Sequence, residues 1–471
     1  MKSGEIIRII LEIIYFLIVL GIIVKIVLQN RNPLKTTSWI LVLSLLPLLG
    51  IVIYYIFGQD ARQIRIISNK KYRMLKKRSS RQPAVIPSDS IRYPEYASLI
   101  YLLNHRNEAP LLQGSKINIF TDGKSKFDAL INDLKEAKHH IHLQYYIFLD
   151  DFIGKTIQAL LIEKAGQGVN VRILYDDVAN WQVKKAFYKE MEAAGIELTA
   201  FLKVRFPLLT SKVNYRNHRK VVVIDGKTGY IGGMNIADRY LRADWRDTHL
   251  RIEGRGVLGM QSAFLIDWYS SGKELIKDPA YFPELPAETG NLMQIVTGSP
   301  VSLQRTLLHA TIQIFTRANK YIYIQTPYFL PEDSLVQSLQ LAALSGIDVR
   351  LMVPAKTDTL LVGTAAKSYY EEMMQSGVKI YMLENAFLHA KMIVCDDFLT
   401  VAGSANMDFR SFEHNFEINT YLYDSDLAVR MKDIFLQDQE ECRQISLKNW
   451  KKRSLLKKFW ESVLRLFSPL F

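Results

Sequence analysis

The chain has 471 residues, with 60 lysines and arginines against 47 aspartates and glutamates, for a formal net charge of +13. That length can bury a large core and fits two similar globular halves, and the charge calls for an anionic partner, nucleic acid or an acidic membrane. Two cysteines, Cys395 and Cys442, and the lack of zinc-type spacing exclude a disulfide framework and favour chemistry with neither metal nor cofactor.

The N-terminus is the first informative element. Ile9 to Leu28 and Ser38 to Phe57 are two apolar runs, each near the ~20 residues a spanning helix needs. Glu12 and Lys25 lie toward the ends of the first run, where long side chains reach the interface. Trp39, Tyr54 and Tyr55 stand at the ends of the second as interfacial anchors, and Pro47 and Gly50 inside it are tolerated in membrane helices. The stretch Gln29–Thr37 allows only a tight hairpin, and a second span with no small-residue cleavage site argues against a cleaved signal peptide. Residues 1–60 are therefore expected to form a two-helix transmembrane hairpin.

A basic linker, 61–91, follows. Arg62, Arg65, Lys70, Lys71, Arg73, Lys76, Lys77, Arg78 and Arg81 occur there without an acid up to Arg81. By the positive-inside rule this block stays in the cytoplasm, which places Met1 and the rest of the chain on that side of a multi-pass inner-membrane protein. The same residues would bind anionic headgroups.

The body reads as two copies of one pattern, a first domain over 92–277 and a second over 288–445, joined by a proline-rich connector at 278–287. His140–Phe148 and Tyr321–Phe329 both alternate as strands do. A helical run follows each, then a second strand after a helix-ending glycine, Gly168–Leu174 and Gly346–Met352. Each copy then reaches a third strand opened by His-x-Lys and closed by Asp: His218-Arg-Lys220 to Asp225, and His389-Ala-Lys391 to Asp396. Gly232-Gly-Met-Asn235 and Gly403-Ser-Ala-Asn406 come next. His389 follows His218 by 171 residues, and Asn406 follows Asn235 by the same 171. Strand, helix, strand and motif strand, twice over, predict an α/β fold with helices on a mixed central sheet, two halves related by a pseudo-twofold axis, and catalytic residues at strand ends facing the groove between them.

Two imidazoles explain the duplication. A reaction through a covalent intermediate needs one group to attack and another to protonate the leaving group. Lys220 and Lys391 bring fixed positive charge, and Asn235, Asn406 and Ser404 bring donors for non-bridging phosphoryl oxygens. A phosphodiester fits this inventory better than an acyl substrate, which would need a Ser or Cys nucleophile and fewer cations. Asp247 and Glu417 stand at matching places downstream, offset by one residue, and a carboxylate on the far ring nitrogen would fix an imidazole's tautomer. Asp225 and Asp396 close the motif strands before turns, where they serve the chemistry or cap the turn. Gly233 stands where the second copy has Ser404, so the half-sites differ.

Other features have plainer readings. His139, His140 and His142 lack a partnering carboxylate, so they are not expected to bind metal. Gln144 and Gln325 match each other as strand-end polar packing or groove contacts. Phe264, Asp267, Trp268 and Tyr269 read as helix packing. The C-terminal segment 446–471 is an amphipathic basic helix, with Leu456, Phe459, Trp460, Val463, Leu464 and Phe467 at helical spacing among lysines and arginines. It can lie on a bilayer or pack on the protein's own body.

The paired His-x-Lys-x(4)-Asp motifs resemble those of the phospholipase D superfamily. Asn217–Asp225, Gly232–Ile236, Gln325–Phe329, Gly403–Phe412 and Asn415–Glu417 resemble in particular the branch of bacterial cardiolipin synthases. The likeness spans essentially the whole chain. One departure is Val178-Ala-Asn-Trp181 after Leu174-Tyr-Asp-Asp177, where that branch leads one to expect Gly-Ser, so the local substrate loop differs. The resemblance implies phosphatidyl transfer between two phosphatidylglycerol molecules through a phosphatidyl-histidine, releasing glycerol. It implies His218 as nucleophile and His389 as general acid then base, or the reverse, with Lys220, Lys391, Asp225 and Asp396 completing the motifs. It also implies anionic phospholipid and membrane partners rather than nucleic acid. Hydrolysis of a phospholipid, with water as acceptor, shares the covalent step and stays open, as does the oligomeric state.

Overall fold

The computed structural model describes residues 3–29, 33–46, 48–58, 72, 74–75, 95–204, 214–286, 290–302 and 304–470. The chain divides into two units, Met1–Gln63 with Val204–Asn214, and Ile64–Lys203 with Tyr215–Phe471. The expected basic linker, 61–91, lies outside the described residues apart from Tyr72, Met74 and Leu75.

In the N-terminal unit, Ser3–Leu28 is one helix, and its stretch Gly4–Leu28 is long and apolar enough to cross a membrane. Glu12 is carried in this apolar setting by Arg8 one turn earlier, 2.9 Å away. The second run differs from expectation. It forms Pro33–Leu45, then Leu49–Ile53 and a wide turn at Tyr54–Gly58, in place of one helix over 38–57. Pro47 stands in the interval and has no N–H to continue a helical ladder, and Leu48 takes the left-handed region at φ 61°. Val19, Ile26, Leu43 and Tyr54 cluster between the helices, and the Tyr15 hydroxyl donates to the Leu43 carbonyl at 3.3 Å. Trp39 meets Tyr54 edge-on at 5.4 Å.

The larger unit is built on a 16-stranded mixed sheet. From one edge inward the first half contributes Glu197–Phe201, Asn170–Asp176, His140–Tyr145, Val221–Ile224, Thr228–Gly232, His249–Gly254 and Leu112–Phe120. From the other side, inside the edge strand Cys442–Gln444, the second half contributes Lys379–Leu383, Asp348–Pro354, Tyr321–Gln325, Met392–Cys395, Leu399–Gly403, Asn415–Tyr423 and Asn291–Gly298. The order is the same in both. The outer three strands of each set run parallel, because helices connect them, and the motif strands run antiparallel in hairpins. The two sets join where Leu112 pairs with Met293, so the halves share one sheet.

Helices cover this sheet and bury it. Gly256–Ser270 is buried from Gly256 to Trp268, which is why its sequence is apolar on every side. Gly259 lets it approach the strand below: a Cβ there would stand 2.8 Å from Ile295. Phe264 and Trp268 pack as expected, and Asp267 does more, as described below. The helix Ala97–Asn107 precedes the first half in sequence, inside the domain expected over 92–277. It packs instead with the second half, where Tyr96, Leu99 and Leu103 join Leu307, Phe398 and Tyr423. In the connector, Asp278 caps the short turn Pro279–Tyr281, and Tyr281 packs on His139, His140 and His142. His142 is further held by Gln261, so the histidine cluster is packing. Among the described residues, no group of three His, Cys, Asp or Glu side chains is placed to hold a metal ion.

Candidate active site

Each motif histidine stands between two short segments with different partners. Ahead of His218, Arg216–Asn217 pairs in parallel with Asn415–Phe416 of the other half, and the His218 N–H donates to the Phe416 carbonyl at 2.9 Å. Ahead of His389, Phe387–Leu388 pairs in parallel with Trp245–Arg246, and the His389 N–H donates to the Arg246 carbonyl at 2.7 Å. After each histidine the chain enters its own half's sheet. Every motif histidine is therefore threaded against the backbone of the opposite half.

That threading sets the carboxylate partners. The residue after Phe416 is Glu417, whose oxygens lie 3.0 and 3.1 Å from His218 Nδ1. The residue after Arg246 is Asp247, whose Oδ2 lies 2.6 Å from His389 Nδ1. Each acid serves the histidine of the other half. With Nδ1–H donated to a carboxylate, Nε2 is left with its lone pair, the atom needed for attack or for proton uptake.

The two lysines close the group. Lys220 Nζ donates to the His218 carbonyl at 2.6 Å, and Lys391 Nζ makes the equivalent bond to the His389 carbonyl. All four side chains are nearly or fully buried. Burial, opposed by Glu417, pushes His218 down to about 4. Burial and the neighbouring Lys391 push His389 to about 4 as well. Lys391 is pushed down to about 8 by burial, against the pull of Asp247 and Glu417. Burial also holds Lys220 well below the ordinary lysine range. For both carboxyls burial acts upward but is outweighed, by His218 and Lys220 at Glu417 and by His389 and Lys391 at Asp247, so both stay below their ordinary values. Burial thus favours neutral imidazoles, while the carboxylates and the two buried lysines hold charges of opposite sign beside them.

The expected phosphate donors are placed unevenly. Asn235 Oδ1 accepts from the Ile147 N–H at 3.1 Å, and its amide meets the Tyr240 hydroxyl. Asn406 Nδ2 donates to Asp408 at 3.1 Å. Each amide nitrogen keeps one further hydrogen. The Ser404 hydroxyl donates to Glu417 and accepts from the Ile418 N–H at 2.9 Å. Gly233 occupies the matching position because there is no room for a side chain, since a Cβ would stand 2.1 Å from Asp247 Oδ1.

Asp225 and Asp396 sit at the far ends of the motif strands from the histidines. Both adopt left-handed backbone, φ 53° and 55°, in the tight turns that close the motif hairpins. The Asp225 carboxylate accepts from the N–H groups of Lys138, His139 and His140 at 2.8–2.9 Å. Asp396 accepts from Asn319, Lys320 and Tyr321 at 2.8–3.0 Å. Of the two readings of these acids, the geometry matches the turn that ties the motif strand to its neighbour.

Several residues of the site had no clear sequence signal. The Tyr146 ring stands edge-on to His218 at 4.9 Å, and Trp245 and Tyr240 flank His389 at 5.4 and 5.9 Å. Arg219 donates to the Glu417 and Gly298 carbonyls and to Asp267 at 2.7–3.0 Å, tying the first motif to the second half. Asp267 also accepts from Gln144 and Asn217. Gln144 and its match Gln325, which donates to Asp438, are buried packing groups. Position beside Asp247 could have drawn attention to Trp245; Tyr146 and Tyr240 carried no such mark.

Known proteins resemble this chain over nearly its whole length. A family model described as "Cardiolipin synthase, PLD-like domain" matches residues 130–259 and 311–439. A second, described as "Phospholipase_D-nuclease N-terminal", matches 13–59. The chain is 40% identical to a cardiolipin synthase of Listeria welshimeri, over 97% of this chain and 99% of that one. It is 39% identical to cardiolipin synthase 2 of Bacillus anthracis, over 94% of this chain and 88% of that one. Among solved structures, phosphatidylserine synthase of Haemophilus influenzae superposes with a TM-score of 0.59 at 14% identity, covering 79% of this chain and 98% of that one, a likeness of fold.

Proposed function

The chain belongs to the cardiolipin synthases of the phospholipase D-like family and is a phosphatidyl-transferring enzyme; from that premise we propose that it joins two phosphatidylglycerol molecules, with His218 as nucleophile and His389 as acid and then base. The observation that carries this reading is the crossed pair of hydrogen bonds, His218 to Glu417 and His389 to Asp247, which engages each ring through Nδ1 and keeps Nε2 for chemistry, with Lys220 and Lys391 both within electrostatic range of both rings.

In the proposed first step His218 Nε2 attacks the donor phosphorus. The bond from phosphorus to the glycerol headgroup oxygen breaks, and His389, as imidazolium, protonates that oxygen so that glycerol leaves. The phosphodiester anion supplies the counter-charge that lets His389 take up its proton on donor binding. In the second step His389, now neutral, takes the proton of the acceptor's terminal hydroxyl while that oxygen attacks phosphorus. The bond from phosphorus to His218 breaks, giving cardiolipin, and His389 is again protonated. Lys220 and Lys391, with the remaining amide hydrogens of Asn235 and Asn406, would hold the non-bridging oxygens. We assign Ser404, Asp225 and Asp396 to positioning: Ser404 steadies Glu417, and the two aspartates fix the motif strands.

We further propose that the first apolar helix and the interrupted second run form a hairpin crossing the cell membrane twice, with the basic segment and catalytic halves in the cytoplasm. The length of Ser3–Leu28 and its packing against the second run support it. The matching strand orders support a pseudo-twofold relation of the halves.

The test is a mass-spectrometric lipid assay of purified wild type and His218→Ala in mixed micelles with phosphatidylglycerol alone. Cardiolipin and glycerol from wild type only is the expected result. Phosphatidic acid in their place would make water the acceptor and the enzyme a hydrolase.

A further inference from the structure

The C-terminal helix Leu455–Arg465 packs on the body along one side and leaves the other bare. Its inner side is fixed at several points. Leu464 packs against the core of the second half, Arg465 pairs with Glu372 at 2.8 Å, and Lys458 pairs with Glu371 at 3.4 Å, both glutamates belonging to the helix Leu360–Gln375. Glu461, the one acid of the C-terminal helix, is buried and paired with Arg453 at 2.6 Å. The outer side therefore carries no acidic charge.

What it does carry is apolar and cationic. Leu455 is 84% exposed, and Leu456, Phe459 and Trp460 continue the ridge, with Leu466 at 78% and Phe467 just beyond the helix end. Lys457 of the same helix, and Lys448, Lys451 and Lys452 in and just after the short helix Leu447–Lys451 that precedes it, are exposed as well. A ridge of large exposed apolar residues in a stretch that also exposes four lysines is costly in water and suited to a surface that is greasy below and anionic above. The supporting helix Leu360–Gln375 begins with Leu360 and Leu361, also exposed. They come two and three residues after Asp358, which accepts from Tyr328 at 2.7 Å and lies within electrostatic range of Lys391.

We propose that the ridge formed by Leu455, Leu456, Phe459, Trp460, Leu466 and Phe467 docks the catalytic body on an anionic lipid surface, and that Leu360 and Leu361 bring the entrance of the second half-site to that surface. Charge selects this occupant. A second copy would bring two sets of four lysines together, and the basic segment of this chain, 62–81, would add cations to cations, whereas an anionic bilayer neutralises them. The docking rests on the proposed function only in that the substrate is held in a bilayer.

The test uses the full chain in bilayer vesicles carrying brominated acyl chains, with the Trp460 emission taken as the difference between wild type and Trp460→Phe. In phosphatidylglycerol-containing vesicles the Trp460 emission is expected to be quenched about twofold or more. Replacing Lys448, Lys451, Lys452 and Lys457 together by Gln is expected to remove at least about half of that quenching, with turnover in detergent micelles unchanged. Emission that brominated lipid leaves untouched would overturn the proposal. So would quenching equal in zwitterionic vesicles and in the four-Gln variant, or burial of Trp460 that grows with protein concentration without lipid, the mark of a second copy. A chain that makes no cardiolipin in micelles would sink the proposed reaction and leave the quenching result to stand on its own.

Discussion

His218 and Glu417 are 199 residues apart in sequence and 3.0 Å apart at Nδ1 and Oε1, and the mirror pair, His389 and Asp247, crosses between the halves in the opposite direction. Neither half is therefore a complete site. Each contributes one imidazole and the carboxylate that the other half's imidazole contacts, and the backbone pairings at Arg216–Asn217 and Phe387–Leu388 set the crossing.

The crossing predicts which variants share a defect. Glu417→Gln removes the charge that holds the His218 tautomer and is expected to lower kcat by about 10²- to 10⁴-fold with little change in KM. Asp247→Asn should do the same through His389. With a donor bearing a nitrophenol headgroup, which leaves without a proton, Asp247→Asn is expected to recover a rapid burst and Glu417→Gln is not. A burst recovered by Glu417→Gln alone would reverse the roles of the histidines. Stopped-flow absorbance reads both.

Lys391 predicts the alkaline limb of activity. Its ammonium, held to about 8, is charged below that pH and neutral above it, so with Lys391 in the proposed phosphate-holding role, binding is expected to weaken as pH rises through 8. The kcat/KM profile for phosphatidylglycerol should fall on that side, and Lys391→Arg, if active, should keep its charge and shift the fall upward. An unchanged limb in that variant would assign it to another group.

Asp225 acts through the backbone. Asp225→Asn can keep the left-handed turn and one acceptor, whereas Asp225→Ala leaves three N–H groups without their partner; the costs should be about 1 and about 3 kcal/mol of stability. The Asp225 carboxyl is held below its ordinary value, where its backbone donors outweigh the upward push of burial. Its contribution is thus present above the ordinary carboxylate range and lost as pH falls. Thermal unfolding at pH 7 and pH 4 checks both points, with kcat of the folded Asn variant expected near wild type.

Gly233→Ser probes the asymmetry of the half-sites. A side chain there would meet Asp247 Oδ1 at 2.1 Å, so the carboxylate must leave its place on His389. Turnover should drop by about 10²-fold, close to the effect of Asp247→Asn. Ser404→Ala, which removes a donor to Glu417 and the acceptor of the Ile418 N–H but leaves the carboxylate in place, should cost about tenfold or less. Steady-state kinetics of the three variants side by side decide it.

Much of this was legible in the sequence because it is local. The constant spacing of the histidines, lysines and asparagines marked the duplication, alternation marked the strands, and the place of Asp225 and Asp396 at strand ends before turns offered the turn-cap reading. What the sequence hid is long-range or steric. Nothing near Glu417 names His218 as its partner, since the pairing depends on a strand contact between residues 216–217 and 415–416. Nor does the sequence around Ser404 show that its hydroxyl donates to Glu417. The second apolar run kept a membrane-like composition while its helix broke between Leu45 and Leu49, with Leu48 left-handed, and the helix Ala97–Asn107 joined the half it does not adjoin in sequence.

The most direct test of the central claim is to trap the covalent intermediate. His389→Ala, mixed with a phosphatidyl donor carrying a nitrophenol headgroup and quenched in alkali, can be digested and its phosphatidyl-histidine located by mass spectrometry. The account predicts the adduct on the peptide bearing His218, and none when His218 is also replaced. An adduct in wild type on His389, absent from His389→Ala, would contradict it.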